Sequence, residues 1–98
     1  MGGGEDIQEG EKMTIRDKFV YALALNYKGG YRNRVVDLDR FARETGADYE
    51  EVEGIAAGLR SEGSVTMANT RGTFRLTDAG YAKYRDRLAA IEALENAP

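Results

Sequence analysis

Apolar residues recur three and four positions apart in four stretches of the chain, a spacing that predicts four amphipathic helices. The first helix begins after Thr14, a candidate N-cap with Asp17 three residues later. It is predicted to end at Gly29 and Gly30, because glycine disfavours the helical backbone. The residues expected on its inward face are Ile15, Phe19, Ala22, Leu23 and Asn26.

A short turn of Gly46 and Ala47 separates the second and third predicted helices. Asp37 is the predicted N-cap of the second helix, and Asp48 with Glu51 forms a predicted capping box at the start of the third. The positions expected to be buried are Leu38, Phe41, Ala42 and Thr45 in the second helix, and Val52, Ile55, Ala56 and Leu59 in the third. Two helices joined in this way are typical of a helix-turn-helix motif.

A hairpin is predicted directly after the third helix. Apolar and polar residues alternate through residues 65–67, and an apolar strand returns through residues 74–76 after a glycine turn. The predicted tip consists of Asn69, Thr70, Arg71 and Gly72. Val35 and Val36, ahead of the second helix, form a short apolar run that we expect to pair with this hairpin.

The longest helical pattern opens at Thr77 and runs to residue 97. A helix of about 20 residues spans roughly 30 Å, which is about the diameter of a small domain. Its distal half is therefore expected to protrude unless a partner covers it. We predict a homodimer through this helix, with an interface formed by Tyr84, Leu88, Ile91 and Leu94.

The chain of 98 residues is long enough for one modest core. Residues 1–13 are rich in glycine and in acidic side chains and contain few apolar ones, so we predict a disordered arm. One domain follows over residues 14–98, with its last helix at 77–97. The sequence leaves open whether the arm is native or an expression remnant.

Cysteine and histidine are both absent, which removes disulfides, thiolate metal sites and the usual general base. Helix capping accounts for the neighbouring carboxylates at residues 37 and 39 and at residues 50 and 53. We therefore predict no enzymatic activity, no metal, no cofactor and no small-molecule ligand. No apolar run approaches the roughly 18 residues that span a bilayer, so a cytoplasmic protein without a membrane partner is expected.

The predicted order is helix, short strand, two helices, hairpin and a final helix, and over residues 14–85 it resembles the winged helix-turn-helix superfamily. The similarity to bacterial and archaeal transcription regulators is carried by Leu59, Glu62, Gly63, Leu76, Thr77 and Gly80. The resemblance implies an α+β fold that is mostly α, with a three-helix core, a small antiparallel wing sheet and a long C-terminal helix. It also implies a transcription-regulating role.

In DNA-binding members of that superfamily, the third helix enters the major groove and the wing contacts phosphate or the minor groove. Double-stranded DNA is therefore the implied partner. The residues that the resemblance assigns to it are Asn69, Thr70, Arg71 and Arg75 in the wing, Arg60 and Ser61 at the end of the third helix, Arg32 and Arg34 in the loop after the first helix, and Arg43 in the second helix.

The outward face of the third helix predicts weak base readout. It consists of Glu50, Gly54, Ala57, Gly58 and Ser61, and the net charge of the chain is −3. Two functions therefore stay open, a DNA-binding regulator and a winged-helix module that binds another protein. DNA binding requires the arginines of the wing, of the third helix and of the loop to converge on one surface.

Overall fold

The computed structural model describes residues 13–28, 35–68 and 71–95. Within these ranges the chain forms four helices and three strands, an α+β arrangement that is mostly helical. The elements in chain order are α1 (Ile15–Lys28), β1 (Val36–Asp37), α2 (Leu38–Thr45), α3 (Tyr49–Ser61), β2 (Val65–Met67), β3 (Thr73–Leu76) and α4 (Asp78–Glu95). The predicted arm lies outside the described residues, except for Met13.

The predicted N-terminal cap of α1 is confirmed. The Asp17 backbone N–H donates to Thr14 Oγ1 at 3.0 Å, and the Thr14 backbone N–H donates to Asp17 Oδ2 at 3.2 Å. Each side chain thus satisfies a backbone donor that the helix leaves without a partner.

The helix starts of α2 and α3 differ from each other. Asp37 Oδ1 accepts from the backbone N–H groups of Asp39 at 2.9 Å and Arg40 at 3.2 Å, as predicted for an N-cap. The capping box predicted for α3 is wrong, because the Asp48 side chain makes no capping hydrogen bond. The Asp48 carbonyl instead accepts from the Val52 N–H at 3.1 Å, so backbone contacts alone begin the helix.

Gly46 ends α2 with the left-handed backbone that the sequence predicts. Its φ angle is +74°, a conformation that glycine adopts without steric cost. The chain reverses there, and the Ala47 N–H donates to the Ala42 carbonyl at 3.0 Å. Because of this tight turn, α3 packs against α2.

The three strands form an antiparallel sheet in the order β1-β3-β2. In this sheet Phe74 pairs with both Val36 and Met67, which makes β3 the central strand. The first strand is Val36–Asp37 rather than the predicted Val35–Val36. Asp37 therefore ends the strand and caps α2 at the same time.

The core lies between the helices and the inner face of the sheet. Phe19 and Leu23 of α1 are buried as predicted, whereas Val20 and Ala24 are buried without having been predicted. Ile15, Ala22 and Asn26 are only half-buried. The buried face of α1 is shifted because β3, α3 and α4 all pack against this helix.

The homodimer through α4 stays a prediction, but two of the four residues predicted for its interface are buried within the single chain. Ile91 is 0% exposed and Leu88 is 8% exposed within a single chain, so neither offers surface to a second copy. The physical reason is that α1 packs along α4, where the Arg87 guanidinium donates two hydrogen bonds to the Asp17 carboxylate at 2.7 and 3.1 Å. Tyr84 is half-buried, and Leu94 remains 37% exposed.

The start of α4 packs tightly against the turn that follows α3. Thr77 caps α4 as predicted, since its Oγ1 accepts from the Gly80 N–H at 2.9 Å. The same hydroxyl donates to the Gly63 carbonyl at 2.7 Å, and the Thr77 N–H donates to the Ser64 carbonyl at 3.0 Å. A Cβ on Gly80 would lie 2.1 Å from that Ser64 oxygen. These contacts fix the base of the β2–β3 hairpin.

Candidate nucleic-acid interface

The β2–β3 hairpin carries the first group of predicted DNA contacts. Gly72 in its turn has a φ angle of +81°, and its carbonyl accepts from the Leu38 N–H at 2.9 Å. The hairpin is also closed by the Ala68 N–H, which donates to the Thr73 carbonyl at 2.8 Å. The turn is therefore held against the start of α2. Arg71, beside Gly72, is exposed and makes no ion pair with any residue that the structure describes.

Arg75 lies on the opposite face of β3 from the buried side chains of Phe74 and Leu76. It is paired across the sheet with the exposed Thr66. Because successive side chains alternate along a strand, this register directs Arg75 away from the core. Arg75 is nevertheless half-buried and takes part in an interaction within the protein. Arg71 is therefore the more available cation of the hairpin.

The end of α3 carries the second group. Arg60 and Ser61 are both exposed, and Arg60 has no ion pair within residues 13–28, 35–68 and 71–95. The Gly63 N–H donates to the Arg60 carbonyl at 3.0 Å, which closes the helix. Only the turn at residues 62–64 separates this helix end from β2, so α3 and the hairpin are linked by a short, hydrogen-bonded connection.

Arg43 is less suited to a phosphate contact than predicted. It forms an ion pair with Asp39 one turn earlier on α2, and Arg40 pairs in the same way with Glu44 at 2.9 Å. Such exposed pairs stabilise a helix by only about 0.3–0.5 kcal/mol, so DNA could displace them. The charge of Arg43 is nonetheless largely neutralised within its own helix. Asn69, Thr70, Arg32 and Arg34 lie outside the described residues.

The outward face of α3 is confirmed as predicted. Glu50, Gly54, Ala57, Gly58 and Ser61 are all exposed. A Cβ added at either glycine would meet no atom of the described residues within 4 Å, so packing against that part of the chain does not require glycine there. Glu50, Glu51 and Glu53 make no ion pair in the described part of the chain. Arg60 and Ser61 are thus the base-reading candidates on this helix.

A polar cluster around Glu62 was not predicted from the sequence, which identified Glu62 only as part of the Glu-Gly pair that ends α3. Glu62 Oε2 accepts hydrogen bonds from the Tyr84 hydroxyl at 2.6 Å and the Ser64 hydroxyl at 2.7 Å. Its Oε1 lies 3.2 Å from Lys83 Nζ and 3.9 Å from the Arg16 guanidinium. We call these five residues the Glu62 cluster. It joins the end of α3 to α1 and α4.

The charge state of the Glu62 cluster follows from these contacts. The hydrogen bonds from Tyr84 and Ser64, together with Lys83, lower the pKa of Glu62 to about 2. Burial and the hydrogen bond to Glu62 raise the pKa of the Tyr84 hydroxyl. At neutral pH the cluster therefore contains one carboxylate and two cations. No local sequence signal identifies it, since its members come from three separated segments.

Comparison with family models, with curated proteins and with solved structures returned no match for this chain. In the described residues, no group of three or more acidic side chains is arranged to hold a metal ion. None of the described helices combines the length and the apolar character needed to cross a bilayer.

Proposed function

We propose that this chain is a winged helix-turn-helix DNA-binding protein that acts as a small transcriptional regulator. The order of its helices and strands agrees with the winged-helix arrangement that its sequence resembles. In that arrangement α2 and α3 form the helix-turn-helix and the β2–β3 hairpin forms the wing. The antiparallel sheet with β3 at its centre supports this assignment.

The observation that carries the proposal is the availability of Arg71 and Arg60. Both are exposed and free of ion pairs among the described residues, and they lie on the wing and on the third helix. By contrast, Arg43 on α2 and Lys28 on α1 have acidic partners, at 3.8 Å in the case of Lys28 and Glu92. Free guanidinium groups bind phosphate through several donors and release counterions from DNA when they do.

The placement of these arginines favours contacts with the DNA backbone and only weak recognition of individual bases. Arg71 at the wing tip supplies a phosphate or minor-groove contact. The outward face of α3 offers small and acidic side chains to a major groove, with Arg60 and Ser61 at its end as hydrogen-bond donors to base edges. We therefore expect modest discrimination between DNA sequences.

The experiment that tests this proposal is a titration of a mixed-sequence duplex at several salt concentrations. The logarithm of the binding constant should fall linearly with the logarithm of the salt concentration, with a slope proportional to the number of phosphates contacted. Arg71→Gln and Arg60→Gln should each weaken binding and flatten the slope by about one unit. Arg85→Gln is the matched control, because Arg85 is also exposed and unpaired in the described part of the chain but lies on α4.

A protein-binding module is the second candidate. Its support is the open face over Gly54 and Gly58 together with the carboxylates of Glu50, Glu51 and Glu53, which have no partner among the described residues. Such a face suits a basic helical partner. Duplex binding that is absent, or that does not depend on salt, would favour this function over DNA binding.

A further inference from the structure

The charged side chains of α3 are divided between its two ends. Four exposed carboxylates lie at its start, those of Asp48, Glu50, Glu51 and Glu53. None of them forms an ion pair with a residue that the structure describes. The last turn carries the opposite charge in the exposed Arg60. A rise of 1.5 Å per residue separates Glu50 from Arg60 by about 15 Å along the helix axis, which exceeds the Debye length of about 8 Å at physiological salt.

This division is the reverse of what a recognition helix normally offers to DNA. In helix-turn-helix proteins, residues near the N-terminus of that helix contact base edges in the major groove. The helix dipole favours this orientation, because the N-terminus carries about half of a positive charge. In α3 the four carboxylates outweigh this partial charge several times. Placing the first turns of α3 between the two phosphate strands would therefore repel the duplex.

The available cations belong to a unit made of the last turn of α3 and the β2–β3 hairpin. The Ser64 N–H donates to the Leu59 carbonyl at 2.9 Å, and the Thr77 N–H donates to the Ser64 carbonyl at 3.0 Å. The helix end is thus joined by hydrogen bonds to the base of the hairpin. Arg60 precedes this junction and Arg71 lies at the far end of the hairpin, and both are exposed and free of ion pairs within the described ranges.

We propose that duplex DNA docks on the hairpin and the C-terminal end of α3, and that the N-terminal half of α3 lies outside the DNA groove. This inference rests on the DNA-binding function proposed above and specifies its geometry. Arg71 and Arg60 bind phosphates, while the carboxylates of residues 48–53 stay on the side away from the duplex. Base contacts are then left to the hairpin and the last turn of α3.

The direct test is proximity cleavage of a supercoiled plasmid by an iron–EDTA chelate attached to a single cysteine. The chain has no cysteine of its own, so each variant carries one defined label. Thr66→Cys places the chelate on the hairpin, and Tyr49→Cys places it at the start of α3; both positions are exposed and uncharged. Ala89→Cys, at an exposed position of α4, measures background cleavage. Duplex affinity is measured in parallel for each labelled chain and for the parent chain.

At low salt the label at position 66 should nick the plasmid about fivefold faster than the label at position 89, because a label held beside DNA acts at a high effective concentration. The label at position 49 should cleave no faster than this background. Cleavage from position 49 as fast as from position 66 would overturn the proposal, and so would duplex binding with background cleavage from both. Absence of duplex binding in the labelled and parent chains would instead reject the DNA-binding function itself.

A second comparison uses charge and needs no label. The double variant Glu50→Gln, Glu53→Gln removes two of the carboxylates at the start of α3. At physiological salt the proposed geometry predicts less than about a twofold change in duplex affinity, since screening separates these residues from the bound phosphates. If the N-terminal half of α3 enters the groove, removing carboxylates that lie beside phosphates should tighten binding about tenfold, a result that would contradict the proposal.

Discussion

Gly80 is where a single methyl group should have a large effect on stability. Its ideal Cβ would lie 2.1 Å from the Ser64 oxygen, 2.8 Å from the Ser64 carbonyl carbon and 2.9 Å from the Ser64 Cα. All three are backbone atoms, so a change of side-chain rotamer cannot relieve the clash of Gly80→Ala. The start of α4 must move away from the turn after α3.

The expected loss of stability combines the cost of the clash, the hydrogen bonds that are lost when α4 moves, and the gain in helix propensity. Overpacking costs about 1–3 kcal/mol. The Thr77 N–H and hydroxyl bonds to residues 63 and 64 are worth about 1 kcal/mol each. Alanine regains about 1 kcal/mol of helix propensity over glycine. We therefore expect Gly80→Ala to lower the free energy of unfolding by about 2–4 kcal/mol, a large share of the roughly 5–15 kcal/mol typical of a domain.

The assay is urea denaturation followed by circular dichroism, with Gly58→Ala as the control. Gly58 is also a helical glycine, but its Cβ would meet no atom within 4 Å in the part of the chain that the structure describes. Gly58→Ala should therefore raise the free energy of unfolding by up to about 1 kcal/mol, the opposite sign. If Gly80→Ala unfolds within about 0.5 kcal/mol of the parent chain, the range expected of an ordinary surface substitution, the close approach at Ser64 is refuted.

Three further predictions concern α4 and its contacts. Glu62 has a pKa of about 2 in the folded chain against an ordinary value of 4.5, so its stabilising effect is full above 4.5 and is lost as the pH falls towards 2. The acid limb of a pH–stability curve should be shallower in Glu62→Gln, and an unchanged limb would contradict the hydrogen bonds assigned to Glu62. Ile91→Ala should cost about 2–5 kcal/mol in urea denaturation because Ile91 is 0% exposed. Leu94→Glu should leave stability nearly unchanged, and if it also leaves the sedimenting mass unchanged, the remaining prediction of a dimer through α4 is wrong.

Local hydrogen bonding explains which parts of the fold the sequence predicts. The caps at Thr14, Asp37 and Thr77 and the left-handed Gly46 depend on residues within a few positions of each other. Asp48 is the exception, since its side chain makes no capping bond although its position in the sequence is favourable.

Packing between distant elements explains what the sequence could not predict. The periodicity of α4 identified an apolar stripe, but not that Leu88 and Ile91 would be buried within one chain whose α1 packs against α4. For the same reason the Glu62 cluster was missed, because Arg16, Glu62 and Tyr84 meet only after three helices pack. Exposure of Arg60 and Arg71, which follows from helix and hairpin geometry, was predictable.

Contact between the wing and DNA phosphates can be measured by comparing the salt dependence of duplex binding in Arg71→Gln and Arg85→Gln. If Arg71 contacts a phosphate, the slope of the logarithm of affinity against the logarithm of salt concentration should be about one unit shallower for Arg71→Gln only. Identical slopes in the two variants and the parent chain would contradict it.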